Sequence, residues 1–104
     1  MRNGVTETVA IAELAYAFHR PVALHTGVVT VVGMSASWQV AATLPTFHIQ
    51  ELQPVMLDTF NPWLADPLRV EGGAVVVPDG PGLGLDLDEE RVAAMATDTV
   101  TCAL

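Results

Sequence analysis

Lysine is missing altogether from this 104-residue chain, and its only fixed cations are four arginines spread singly along it, Arg2, Arg20, Arg69 and Arg91. Against them stand twelve acids, for a net charge of −8. Tracking the phosphates of a nucleic acid takes clustered cations, as does holding to an anionic membrane, so neither partner is expected. Cysteine is represented only by Cys102, which cannot form an internal disulfide. A reducing cytoplasm is the expected compartment. No apolar run approaches the roughly 18 residues of a membrane-spanning helix, and the opening Met1-Arg2-Asn3-Gly4 lacks the apolar stretch of a secretion signal.

Apolar side chains, in contrast, are abundant. Hydrophobic residues make up 51% of the chain, more than one small domain buries efficiently, so some faces are expected to meet further strands, helices or another chain. Helical spacing of Val9, Ala12, Ala15 and Tyr16 predicts a first helix, opened by Thr6 and Glu7 and stopped after His19-Arg20 by Pro21. A short strand, Val22 to Leu24, leads into a loop from Thr26 to Val32. A small-residue helix over Met34 to Thr43, ended by Pro45, is followed by a second strand from Phe47 to Glu51. Pro54, Pro62 and Pro67 predict an irregular connection. Gly72-Gly73 predicts the turn of a hairpin over Leu68 to Val77, because paired glycines supply the positive φ such turns need. Asp88 then caps a last helix from Glu89 to Thr97, whose first-turn acids suit the helix dipole.

A strand, a helix and a strand, with an ionisable residue at each carboxyl end, is how a (β/α) barrel assembles an active site. Here the two residues are His25 and Glu51. His25 sits where a strand opens into Thr26-Gly27, and reads either as a core imidazole satisfied by a carbonyl or as a general base near pH 7. Glu51 closes an apolar strand, where a carboxylate is costly unless paired, liganded or protonated. It reads either as a structural carboxylate, capping a helix or meeting an arginine, or as a functional one. Alternation places Glu51, Ile49 and Phe47 on one strand face and Gln50 and His48 on the other, which argues against a His48–Glu51 metal pair. His19 reads as a surface residue at a helix end, and Trp38 and Trp63 as packing residues. Gly80-Pro81-Gly82-Leu83-Gly84 lacks the lysine and hydroxyl of a phosphate loop. The acids Asp86, Asp88 and Glu90 lack the central glycine and closing glutamate of a calcium loop. Both stretches read as a tight turn leading to a capped helix, and nothing around Cys102 marks it as reactive.

Taken in order, Gly4-Val5-Thr6-Glu7, Pro21-Val22-Ala23-Leu24-His25, Ile49-Gln50-Glu51 and Val77-Pro78-Asp79-Gly80-Pro81-Gly82-Leu83-Gly84 resemble the C-terminal end of the enolase superfamily, nearest to its mandelate racemase and sugar-acid dehydratase branch. The resemblance implies an α/β fold. Residues 1–66 would form strands seven and eight of a partial (β/α) barrel with their helices. Residues 67–104 would form a return hairpin and helix that pack on a capping domain. It implies Mg²⁺-assisted removal of the α-proton of an acid sugar or hydroxy acid. His25 would act as general base or acid, and Glu51 would bond the enediolate oxygen or the substrate carboxylate. The family's metal carboxylates, and the aspartate that orients the histidine, belong to earlier strands, and no acid of this chain takes those roles. Branches that commonly place a lysine near the position of His25, the epimerases and cycloisomerases, are disfavoured by the lack of lysine. A whole barrel of this kind takes about 250 residues. The expectation is therefore a piece of a dehydratase or racemase, inactive alone, that self-associates or is completed by another chain. A small acidic α/β interaction module is the alternative.

Overall fold

The computed structural model describes residues 3–98, 100 and 101, and Cys102 lies outside them. In chain order the described elements are α1 (Gly4–Ala17), β1 (Val22–Leu24), α2 (Val31–Ala41), β2 (Phe47–Gln50), α3 (Pro54–Phe60), a 3-10 turn (Asn61–Trp63), β3 (Arg69–Glu71), β4 (Ala74–Val76) and α4 (Glu89–Met95). Strands β1 and β2 pair in parallel across α2, while β3 and β4 form a separate antiparallel hairpin. A parallel pair needs such a crossover, and here it is the strand–helix–strand unit expected from the sequence.

Helix α2 is the centre of the molecule. Apart from Gln39 its residues are apolar or small on every side, and a helix of that kind belongs in an interior. Val31, Met34 and Trp38 pack with Leu57 of α3 and with Leu64 and Leu68 beyond it. Val40 and Ala41 pack with Ala12 of α1, Leu24 of β1 and Leu44. Two polar residues of α2 face the glycine-proline loop. Ser35 Oγ donates to the Leu83 carbonyl at 2.6 Å, and Gln39 Nε2, one turn on, donates to the Pro78 carbonyl at 2.7 Å. The loop is tight enough that a Cβ on Gly84, whose φ is +68°, would meet the Cβ of Pro78 at 2.6 Å.

Three local features depart from the expectations. Helix α1 starts at Gly4 behind Asn3, so Thr6 lies inside its first turn rather than at its cap. Helix α2 starts at Val31, inside the stretch expected as a loop. The connection expected to be irregular is largely helical. Pro54 stands in the first turn of α3, where a missing N–H costs nothing, and Pro62 does the same for the 3-10 turn. Asn61 then joins this segment to the start of the hairpin. Its Nδ2 donates to the Leu68 carbonyl at 3.0 Å and its Oδ1 accepts from the Leu68 N–H at 2.9 Å.

The hairpin turns at Gly72 (φ +57°) and Gly73 (φ +82°), as two positive φ values require of the favoured two-residue turn. Asp88 caps α4 by accepting from the Arg91 N–H at 3.0 Å, and the Arg91 guanidinium reaches the Pro62 carbonyl at 3.0 Å. Trp38 is a core residue. Trp63 packs its ring edge-on against Phe60, 4.7 Å between centroids, so both indoles do structural work. His19 is exposed at the end of α1 with a positive φ of 52°. The small parallel sheet is covered on one side only: Leu24 is buried, whereas Ala23, Phe47 and Ile49 are exposed, Ile49 at 58%. No helix among the described residues is long and apolar enough to cross a membrane.

Candidate active site

The register of the two parallel strands decides which side chains meet. Val22 stands opposite Phe47, but Ala23 stands opposite Ile49 and Leu24 opposite Gln50, a slip of one residue that leaves His48 without a partner across the sheet. The ladder runs one step further, with the Glu51 N–H donating to the Leu24 carbonyl at 3.3 Å. His25 therefore comes to lie beside Glu51. Had the Val22–Phe47 register continued, Gln50 would stand there instead.

The two predicted residues do meet. His25 Nδ1 lies 2.7 Å from Glu51 Oε2, at the rim of an open hollow of about 390 Å³ lined by Ala23, Leu24, Ile49 and Gln50 besides the pair. The imidazole is 82% exposed and the carboxylate 34%. His48 lines a different hollow, beside Trp38 and the hairpin.

The carboxylate is held by the backbone that follows β1. Oε2 accepts the Thr26 N–H at 2.7 Å and the Gly27 N–H at 3.5 Å, and Oε1 accepts Gln53 Nε2 at 3.1 Å. The Thr26 amide, chiefly, holds the Glu51 carboxyl below the ordinary glutamate range against the opposing cost of desolvation; the Gly27 amide, the His25 imidazole and Gln53 act in the same direction. Among the described residues, Glu51 thus caps no helix and meets no arginine. With an ionised carboxylate on Nδ1, the shared proton sits on Nδ1, and a neutral imidazole keeps its lone pair on Nε2.

Gly27 is fitted to this arrangement. Its φ is +47°, and a Cβ there would stand 3.1 Å from His25 Nε2. Sequence reasoning singled out His25 and Glu51 but passed over Thr26, Gln50 and Gln53. The only signal for them was nearness in sequence, since each lies one or two positions from a member of the pair.

Among the described residues, no three His, Cys, Asp or Glu side chains gather as a metal site needs. One carboxylate already committed to an imidazole and two amides does not fit Mg²⁺, which asks for an oxygen-rich octahedron.

Residues 1–91 match the family model described as enolase C-terminal domain-like. The chain belongs to this family. It is 36% identical over 92 residues to a D-xylonate dehydratase of Haloferax volcanii, covering 88% of this chain and 22% of that protein. It is 32% identical over 97 residues to a D-galactonate dehydratase family member of Enterococcus gallinarum, covering 91% of this chain and 24% of the other. Among solved structures it resembles an enolase of the mandelate racemase subgroup from Agrobacterium tumefaciens, with a TM-score of 0.72 and 30% identity over 84% of this chain and 24% of that one. The chain thus spans under a quarter of the length of these relatives, and the α/β architecture is that of one part of an enolase-superfamily barrel enzyme.

Proposed function

We propose that this chain contributes strands seven and eight of an acid-sugar dehydratase or hydroxy-acid racemase, with residues 1–66 in the barrel and 67–104 as the segment returning toward a capping domain. The observation that carries the proposal is the 2.7 Å contact between His25 Nδ1 and Glu51 Oε2 at the carboxyl ends of adjacent parallel strands. It leaves Nε2 as the basic nitrogen. That lone pair takes the proton α to the substrate carboxylate, and the C–H electrons pass into the carboxylate as an enediolate. The Nε2–H then returns its proton to a β-hydroxyl that leaves as water, or to the α-carbon. Glu51 fixes the imidazole, and its carboxylate is the group that would accept a hydrogen bond from a protonated substrate oxygen.

No arginine lines the hollow, and the chain has no lysine. An enediolate has no electrostatic stabilisation there, so the chain alone is inactive. A second polypeptide, or further chain, supplies the remaining strands and holds Mg²⁺ for the substrate carboxylate. The exposed face of Ala23, Phe47 and Ile49 supports this, because parallel sheets are normally covered on both sides. The single cysteine suits a cytoplasmic setting.

The test is to assemble the chain with a polypeptide carrying barrel strands one to six of a sugar-acid dehydratase and to follow α-proton exchange of D-xylonate and related sugar acids in D₂O by NMR. Exchange is expected in the complex, absent from either part alone, and reduced at least a hundredfold by His25→Asn, the usual worth of a general base. A properly assembled complex without exchange overturns the reading.

A further inference from the structure

Thr26 is 2% exposed, and its N–H and its hydroxyl both donate to one residue. Its N–H donates to Glu51 Oε2 at 2.7 Å and its Oγ1 donates to the Glu51 carbonyl at 2.6 Å. The same carbonyl accepts Gln50 Nε2 at 2.8 Å, and the Gln50 Oε1 accepts from Ser37 of α2 at 3.2 Å. A line of hydrogen bonds therefore runs from the buried crossover helix through Gln50 to the strand end, and Thr26 closes it at the other side. We propose that Thr26 is the positioning residue of the His25–Glu51 pair: its hydroxyl pins the end of β2 so that its own amide aims the Glu51 carboxylate at His25 Nδ1, which fixes the imidazole tautomer with the proton on Nδ1.

The chemical reason is that one contact alone leaves Glu51 a rotor. A carboxylate held only by its imidazole can swing with it, and a Thr26 amide not anchored to the β2 backbone can turn away. Holding the carbonyl and Oε2 of one residue from the N–H and Oγ1 of another makes a closed ring of hydrogen bonds with little freedom left. The inference deepens the proposed function, since a base with a defined tautomer is what proton abstraction requires, but its test needs no catalysis.

The measurement is the ¹⁵N–¹H correlation pattern of the His25 imidazole in the full 104-residue chain. Thr26→Val keeps the branched shape and removes the hydroxyl, and the Glu51 carbonyl retains Gln50 as a partner, so no buried acceptor is orphaned. The expected result is an Nδ1–H pattern in the native chain and in Thr26→Ser, and a shift toward the Nε2–H form in Thr26→Val comparable to that in Glu51→Gln. An unchanged Nδ1–H pattern in a folded Thr26→Val overturns the proposal. A second measurement needs no variant: the Thr26 amide proton shift should follow the ionisation of Glu51, with the same midpoint as the Glu51 carboxyl carbon, and an amide that ignores that titration equally overturns it. Failure of α-proton exchange in the assembled complex, with both NMR results as expected, counts against the proposed reaction and leaves the role of Thr26 standing.

Discussion

At the scale of single residues, the ionisation of Glu51 links the site to stability. Its carboxyl is held below the ordinary glutamate range, first by the Thr26 amide, so the folded chain binds that proton less readily than the unfolded one. The sign follows directly: the stabilising contribution is complete above the unfolded pKa and is lost as pH falls through the lower folded value. Acid unfolding of the native chain should therefore steepen below the ordinary glutamate pKa, and Glu51→Gln should flatten the stability profile in that window. Chemical denaturation across pH 3 to 6, the range in which free carboxylates titrate, checks this; parallel profiles for the two chains would show that the amide contacts do not bias the ionisation. His25 and Glu51 were both legible in the sequence, because a charged group closing an apolar strand has few cheap explanations. Thr26 was not, because a threonine after a strand is ordinary and only its partners make it otherwise.

Among the elements, α3 shows how a strong local signal misleads. Three prolines within 14 positions, Pro54 to Pro67, read as a broken connection, yet a proline in the first turn of a helix interrupts nothing. What makes α3 form is Leu57, buried against Met34 and Trp38, and that contact is remote in sequence. Asn61 then works as a clasp, offering Leu68 both a donor and an acceptor. Asn61→Ala leaves both Leu68 groups short of a partner, and Leu68 is itself a core residue. The substitution should cost about 1–3 kcal/mol in urea denaturation, with hydrogen exchange accelerating first at Leu68 and β3. A loss below a few tenths of a kcal/mol would mean that water replaces the clasp. The hairpin and α4 were read correctly because paired glycines and an Asp cap act within a few residues of themselves.

For the whole molecule, exposed apolar surface is the governing feature. Phe47 and Ile49 on β2, Ile11 and Leu14 on α1 and Phe18 just after it are all substantially exposed, and among the described residues both edges of the parallel pair are open. Unpaired edges and bare apolar faces promote association. The chain alone should bind a hydrophobic dye and sediment as a mixture of self-associated species, and Ile49→Asp should reduce both signals. Adding the completing barrel polypeptide should quench the dye in proportion to complex formed. A dye-silent monomer at tens of micromolar would instead favour a self-sufficient acidic module.

From its residues alone the chain was committed to a strand–helix–strand unit, a glycine hairpin, a capped last helix and a histidine and glutamate at two strand ends. Each of these depends on spacing or on neighbours in sequence, so local chemistry suffices to specify it. The pairing of that histidine with Glu51, and not with Gln50, depended on a one-residue slip between Val22 and Ala23 in the parallel register. Such a slip is settled by how α1, α2 and the two strands fill space together, with Leu24 seated against Val40 and Leu44, and no run of adjacent residues carries that information.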